Sequence, residues 1–80
     1  MSTRRRDWSR HVAVDPKVLG GKPVIKGTRV AVQIIVGSLA GGMTVPEICE
    51  QYRLKPAEVR AALSYAAEVL ADERIYAVAT

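Results

Sequence analysis

Two glycine–lysine strings, Gly20-Gly21-Lys22-Pro23 and Lys26-Gly27-Thr28-Arg29, are the first residues of this chain whose types and spacing suggest chemistry, namely holding an anion. A nucleotide-binding P-loop needs Gly-Lys followed by Ser or Thr opening a helix, and here Lys22 is followed by Pro23. A weaker possibility survives. Gly27, Thr28 and Arg29 precede an apolar-periodic segment, so backbone N–H groups at a helix start, together with Arg29, could hold a carboxylate or phosphate. The competing and favoured reading is architectural: Gly27 takes a positive φ and Thr28 caps the helix. Catalytic constellations are poorer still. Glu47 and Glu58 fall in the first turns of helices, where the helix dipole favours them. Glu50 and Glu68 fall off the apolar stripes, which predicts solvated carboxylates. His11 has no Ser, Cys or Asp partner and, within an alternating segment, is expected to point outward. Cys49 lies on an apolar stripe, where thiols pack and stay inert. One Cys and one His cannot build a four-ligand structural zinc site. The residues therefore predict no enzyme, no metal and no cofactor.

Cationic chemistry is better represented. Residues 1–30 hold eight of the twelve basic residues against two of the eight acids, so the front is strongly positive and the remainder slightly negative. A basic segment on a small domain suggests an anionic partner, with nucleic acid first. Arg4, Arg5 and Arg6 form a basic arm of the kind that enters a minor groove. A solvated, solubilising arm is the plainer account of the same three residues. Farther on, Ala57, Glu58, Arg60, Ala61 and Ser64 would share the outward face of a helix. Small residues permit close approach to a groove, Arg60 pairs with guanine edges or phosphate, and Ser64 hydrogen-bonds either. Glu58 opposes this, and Arg53 and Lys55 in the preceding turn would add phosphate contacts. The expected DNA-binding set is thus Arg4, Arg5, Arg6, Arg53, Lys55, Arg60 and Ser64.

These residues need elements to position them. Residues 1–9 read as a flexible arm and 10–80 as a single domain. Arg10 to Val14 alternates, with Val12 and Val14 on one side, and predicts a short strand. Asp15-Pro16 and Gly20-Gly21 mark reversals, and Pro23-Val24-Ile25 could return as the partner strand of a hairpin. Val32, Ile35, Val36 and Leu39 form an i, i+3, i+4, i+7 stripe ended by Gly41-Gly42. Thr44-Val45-Pro46-Glu47 is a capping-box pattern, with Met43 and Ile48 in the staple positions. Val45, Ile48, Cys49 and Tyr52 are the stripe of this second helix. Arg53-Leu54-Lys55 breaks it, Pro56 opens a third at N1, and Val59, Ala62, Leu63, Ala66 and Leu70 predict a buried stripe running to about Ala71. A short helix, a three-residue turn and a longer helix is the spacing of a helix-turn-helix, or of a plain αα-hairpin. The expected fold is mainly α: a short N-terminal β-hairpin and a three-helix bundle.

Eighty residues form a small core, and with one cysteine the chain has no internal disulfide to reinforce it, so a homodimer is expected. No apolar run reaches the ~20 residues that span a bilayer, and no apolar stretch follows the basic start, so a cytoplasmic, membrane-free protein is expected. The apolar ending, Arg74 to Thr80, suggests an interface of unspecified partner.

Through Gly20-Gly21-Lys22-Pro23-Val24-Ile25-Lys26-Gly27-Thr28-Arg29-Val30, the chain resembles domain-of-unknown-function family 433, DUF433, described as VapB-type antitoxins with a homeodomain-like helical core. The match continues through Val32, Gly42-Met43, Glu47-Ile48, Val59-Arg60-Ala61-Ala62-Leu63 and Tyr65-Ala66-Ala67, covering about His11 to Leu70. The resemblance implies a small winged or homeodomain-like helix-turn-helix fold that binds double-stranded operator DNA as a dimeric autorepressor. Its implied partner is a PIN-like toxin, an RNase, which it neutralises, and the family offers no catalytic residues to carry over. Lys22, Lys26 and Arg29 would then contact an anion or the toxin. Antitoxins of this kind carry a long toxin-wrapping tail, whereas about nine residues follow Ala71. The alternative is a protein–protein interaction module without DNA-binding activity.

Overall fold

The structure, a computed structural model, describes residues 8–72; Arg4, Arg5, Arg6 and the apolar stretch 74–80 lie outside the described residues. The order of elements is β1 (Val12–Ala13), a 3-10 turn (Leu19–Gly21), β2 (Val24–Ile25), α1 (Val32–Ala40), α2 (Val45–Tyr52) and α3 (Pro56–Asp72). The fold is mainly helical with a short N-terminal two-stranded antiparallel sheet, as expected. In that sheet Val12 opposes Ile25 and Ala13 opposes Val24.

The strand is shorter than the alternation suggested. It ends at Ala13, because Asp15-Pro16 already turns the chain: the Val18 N–H donates to the Asp15 carbonyl at 2.8 Å and the Lys17 N–H to the Asp15 carboxylate at 2.9 Å. Val14, expected to share the buried side with Val12, therefore points into solvent, 56% exposed against 4% for Val12.

The loop between β2 and α1 corrects a second expectation. Thr28 does not cap α1, whose N-cap is Ala31 and has no side-chain cap. The Thr28 hydroxyl instead donates to the Ile25 carbonyl (2.8 Å) and accepts from the Val30 N–H (2.9 Å), closing the turn internally. Gly27 at φ +78° supplies the left-handed residue this turn needs, as its position suggested. The start of α1 is held by tertiary structure: the Val32 N–H donates to the Pro23 carbonyl at 2.9 Å.

Local signals in the helical part hold. Gly42, at φ +106°, ends α1, with the Gly42 N–H reaching the Leu39 carbonyl and the Met43 N–H reaching that of Ser38. The capping box of α2 is complete: the Thr44 N–H donates to Glu47 Oε1 (2.8 Å) and the Glu47 N–H to Thr44 Oγ1 (3.3 Å). Arg53 takes the left-handed conformation that stops α2, and buried Leu54 seals the turn. The Lys55 N–H donates to Glu58 Oε1 at 2.8 Å, satisfying a donor at the head of α3.

All three helices meet around Ile25, Ile35, Ile48 and Val59, each at most 1% exposed, and no polar or charged residue is buried among those described. The stripe expected on α3 is rotated. Val59 and Ala62 are buried, but Leu63 is 40% and Leu70 66% exposed, whereas Tyr65 packs against the core. Trp8 packs on the face that is turned inward. Placed in the flexible arm by its neighbours, it instead packs edge-on against Tyr65, with ring centroids 4.8 Å apart, and its indole N–H donates to the Glu68 carboxylate. Glu68, expected to be solvated, is thus half-buried under a tryptophan.

Candidate nucleic-acid interface

The head of α3 carries the first candidate surface. Pro56 fixes the first turn, Glu58 turns its carboxylate back onto the Lys55 N–H, and the next turn then presents Arg60, Ala61 and Ser64. Beside them the chain lays a second element. Trp8 is pinned on Tyr65 and Glu68, the His11 N–H donates to the Trp8 carbonyl at 2.9 Å, and the His11 carbonyl accepts from the Lys26 N–H at 2.7 Å. This tight turn delivers Arg10 and His11 to α3. The result is an open trough of about 300 Å³ lined by Arg10, His11, Ala57, Arg60, Ala61 and Ser64.

The chemistry of this trough is one-sided. Two guanidinium groups, an imidazole and a hydroxyl face it, and no carboxylate lines it. Guanidinium groups suit phosphate and guanine edges through their planar fork of donors. Ala57 and Ala61 contribute only methyl groups, which keeps a ligand close to the helix. Ala61 was expected to be fully outward but is 5% exposed, so it is floor rather than wall.

Of the residues expected from sequence, Arg60 and Ser64 meet in the trough. Arg53 and Lys55 are exposed in the turn before α3 and do not line it. Arg4, Arg5 and Arg6 fall outside the described residues. Arg10 and His11 were missed as site residues. His11, expected to point outward, is half-buried at the trough's edge. No local pattern marks these two, because a contact with residues some fifty positions away places them.

A second surface lies on the hairpin side. Lys22 and Arg29 flank exposed Leu19 and Ile34 in a shallow depression of about 420 Å³ that Ala31 and Gln33 complete. Lys26, grouped with them from sequence, does not line it. The helix-start anion reading loses donors here, since the N–H groups of Thr28, Val30 and Val32 are all engaged by Ile25, Thr28 and Pro23. A third surface, of about 330 Å³, is an apolar groove between α1 and the tail of α3, where Val36, Tyr65, Val69 and Leu70 gather beside Pro23. Among the described residues no group of His, Cys, Asp and Glu is placed to hold a metal ion, and no helix is long and apolar enough to cross a membrane.

A family profile described as "Protein of unknown function (DUF433)" matches residues 12–66. A relative from Sinorhizobium fredii, "Uncharacterized protein y4eO", is 41% identical over 56 residues, covering 69% of this chain and 25% of its own. The crystal structure of Rv2018 from Mycobacterium tuberculosis superposes with a TM-score of 0.62 at 32% identity, over 75% of this chain and 27% of that one. The chain thus spans about a quarter of the length of either relative.

Proposed function

The chain belongs to the DUF433 family, and from that premise we propose that it is the antitoxin of a type II toxin–antitoxin pair, binding operator DNA as a dimeric autorepressor. The observation that carries the DNA reading is the carboxylate-free trough on α3, with Arg60 and Ser64 over an alanine floor. The α2–turn–α3 unit acts as a homeodomain-like helix-turn-helix, in which the eight residues of α2 brace the seventeen of α3 in the major groove. Arg53 and Lys55, at the head of that helix, add phosphate contacts, and so do Arg4, Arg5 and Arg6. Two subunits place two such helices on a pseudo-palindromic operator.

The toxin-binding half of the proposal uses the hairpin surface. Exposed Leu19 and Ile34 supply apolar contact, and Lys22 and Arg29 supply charge complementary to the acidic, metal-binding active site of a PIN-like RNase. Lys26, on the adjacent turn, extends the same positive field.

An electrophoretic shift with the DNA upstream of its own gene tests the proposal. Binding should weaken steeply between about 50 and 200 mM salt, and deleting Arg4–Arg6 should flatten that slope. An affinity indifferent to salt contradicts it. A second reading, an interaction module with no DNA role, keeps the apolar Leu19–Ile34 surface as its contact and leaves the trough on α3 without a duplex. Absence of any shift at low salt, with retained capture of the adjacent gene's product, selects that reading.

A further inference from the structure

Resting on the DNA-binding reading above, the geometry points to a built seat for one backbone phosphate of duplex DNA, closed by Arg10 and His11 from the N-terminal turn against Arg60 and Ser64 of α3. These residues come from two elements, and the structure fixes one against the other. The indole of Trp8 stands edge-on to Tyr65 and donates to Glu68, about one turn beyond Ser64. His11 is then held on both sides of its backbone, by Trp8 and by Lys26. Arg10 and His11 therefore reach the trough from a clamped turn, on the opposite side from the helix that would lie in a groove.

That position suits a phosphate better than a base edge. A helix in the major groove reads bases with its own side chains, whereas elements beside it meet the sugar–phosphate strand that borders the groove. A phosphate accepts hydrogen bonds from several directions at once, and here residues with guanidinium, imidazole and hydroxyl donors line the trough from both elements, with no carboxylate-bearing residue among them. Ala57 and Ala61, with only methyl side chains, leave the volume between the walls open. The seat fixes the register of α3 on the duplex and carries no sequence preference itself.

Fluorescence anisotropy of the full chain with its upstream duplex, and with a scrambled duplex, tests this across a salt series. Arg10→Ala with His11→Gln should weaken binding roughly tenfold on both duplexes alike and reduce the salt slope by about one phosphate. Arg10→Lys should keep most of the slope, since it keeps the charge. Thermal melting confirms that each variant is folded. If Arg60→Ala weakens binding while the Arg10/His11 double variant leaves affinity and slope unchanged, the seat is overturned and the DNA reading stands. If the unaltered chain binds neither duplex, the DNA reading fails and takes the seat with it. Inorganic phosphate at matched ionic strength should displace DNA no better than sulfate does. Preferential displacement by phosphate would instead make the trough a site for the free ion.

Discussion

The two halves of α3 share one helix and one composition, yet they do different things. Through Ser64 the helix is sandwiched: Val59 and Ala62 are sealed in the core, while Arg60 and Ser64 face the trough on the other side. From Tyr65 on it is only partly covered: Tyr65 and Ala66 pack against the core and Trp8 against Tyr65, while Val69 and Leu70 stand exposed beside an apolar groove. A helix is thus rigid where other elements enclose it, and its outward side chains are positioned only there. The residues of this helix sealed in the core, Val59, Ala61 and Ala62, all lie in the first half, so the outward side chains there are the better positioned.

The largest effect that would sharpen this contrast is expected from Val59→Ala. Two methyl groups leave a site that is 1% exposed, so lost transfer energy and the residual cavity together cost about 2–3 kcal/mol in urea or thermal unfolding. A chain this small has little stability in reserve, and the variant should lose both surfaces together. A loss below about 0.5 kcal/mol would mean that the first half is not sandwiched at all.

Trp8→Ala comes next, at about 2 kcal/mol, combining an edge-on aromatic pair with a hydrogen bond to a carboxylate. It should also loosen the tail of α3 selectively, visible as faster amide exchange beyond Tyr65 with protection retained near Val59. Uniform loss of protection would erase the distinction between the halves. Trp8→Phe separates the two contributions: the ring contact survives, the donor to Glu68 does not, and the cost should fall to about 1 kcal/mol. Equal costs for the two variants would place the whole stabilisation in the hydrogen bond.

How far the residues themselves announce this arrangement differs along the chain for a physical reason. The Thr44/Glu47 box, the Gly42 stop, Pro56 at the head of α3 and the stripes of α1 and α2 are local, set by contacts within five residues, and all are legible. The stripe of α3 is not. Ala57, Ala61, Ala62, Ala66, Ala67 and Ala71 spread small apolar residues around that helix, so its pattern admits more than one inward face. Leu63 and Leu70 are the largest apolar residues on offer and draw the expected stripe to themselves. The actual face packs on Ile25, Ile35 and Ile48 and on Trp8, sixty positions before its acceptor Glu68, all distant in sequence. The candidate site follows the same division. Arg60 and Ser64 are found by helical spacing, while Arg10 and His11 depend on the Trp8 clamp and could not be found.

Leu70→Gln should have the smallest effect and is the most exacting test of the comparison. At 66% exposure the side chain gives up little buried area, and hydrophobic stabilisation scales with the area removed from water. A dilute monomer should therefore lose no more than about 0.5 kcal/mol. The neighbouring Val36, Tyr65 and Val69 nevertheless make Leu70 the outer lip of an apolar groove. Measuring the midpoint of unfolding at several protein concentrations separates the two circumstances, because a contact between subunits stabilises by mass action and a contact within one chain does not. A small, concentration-independent cost leaves the second half of α3 only partly covered. A cost that grows with concentration would mean that a second subunit encloses this half too, and the contrast between the two ends of α3 would then hold only for the isolated chain.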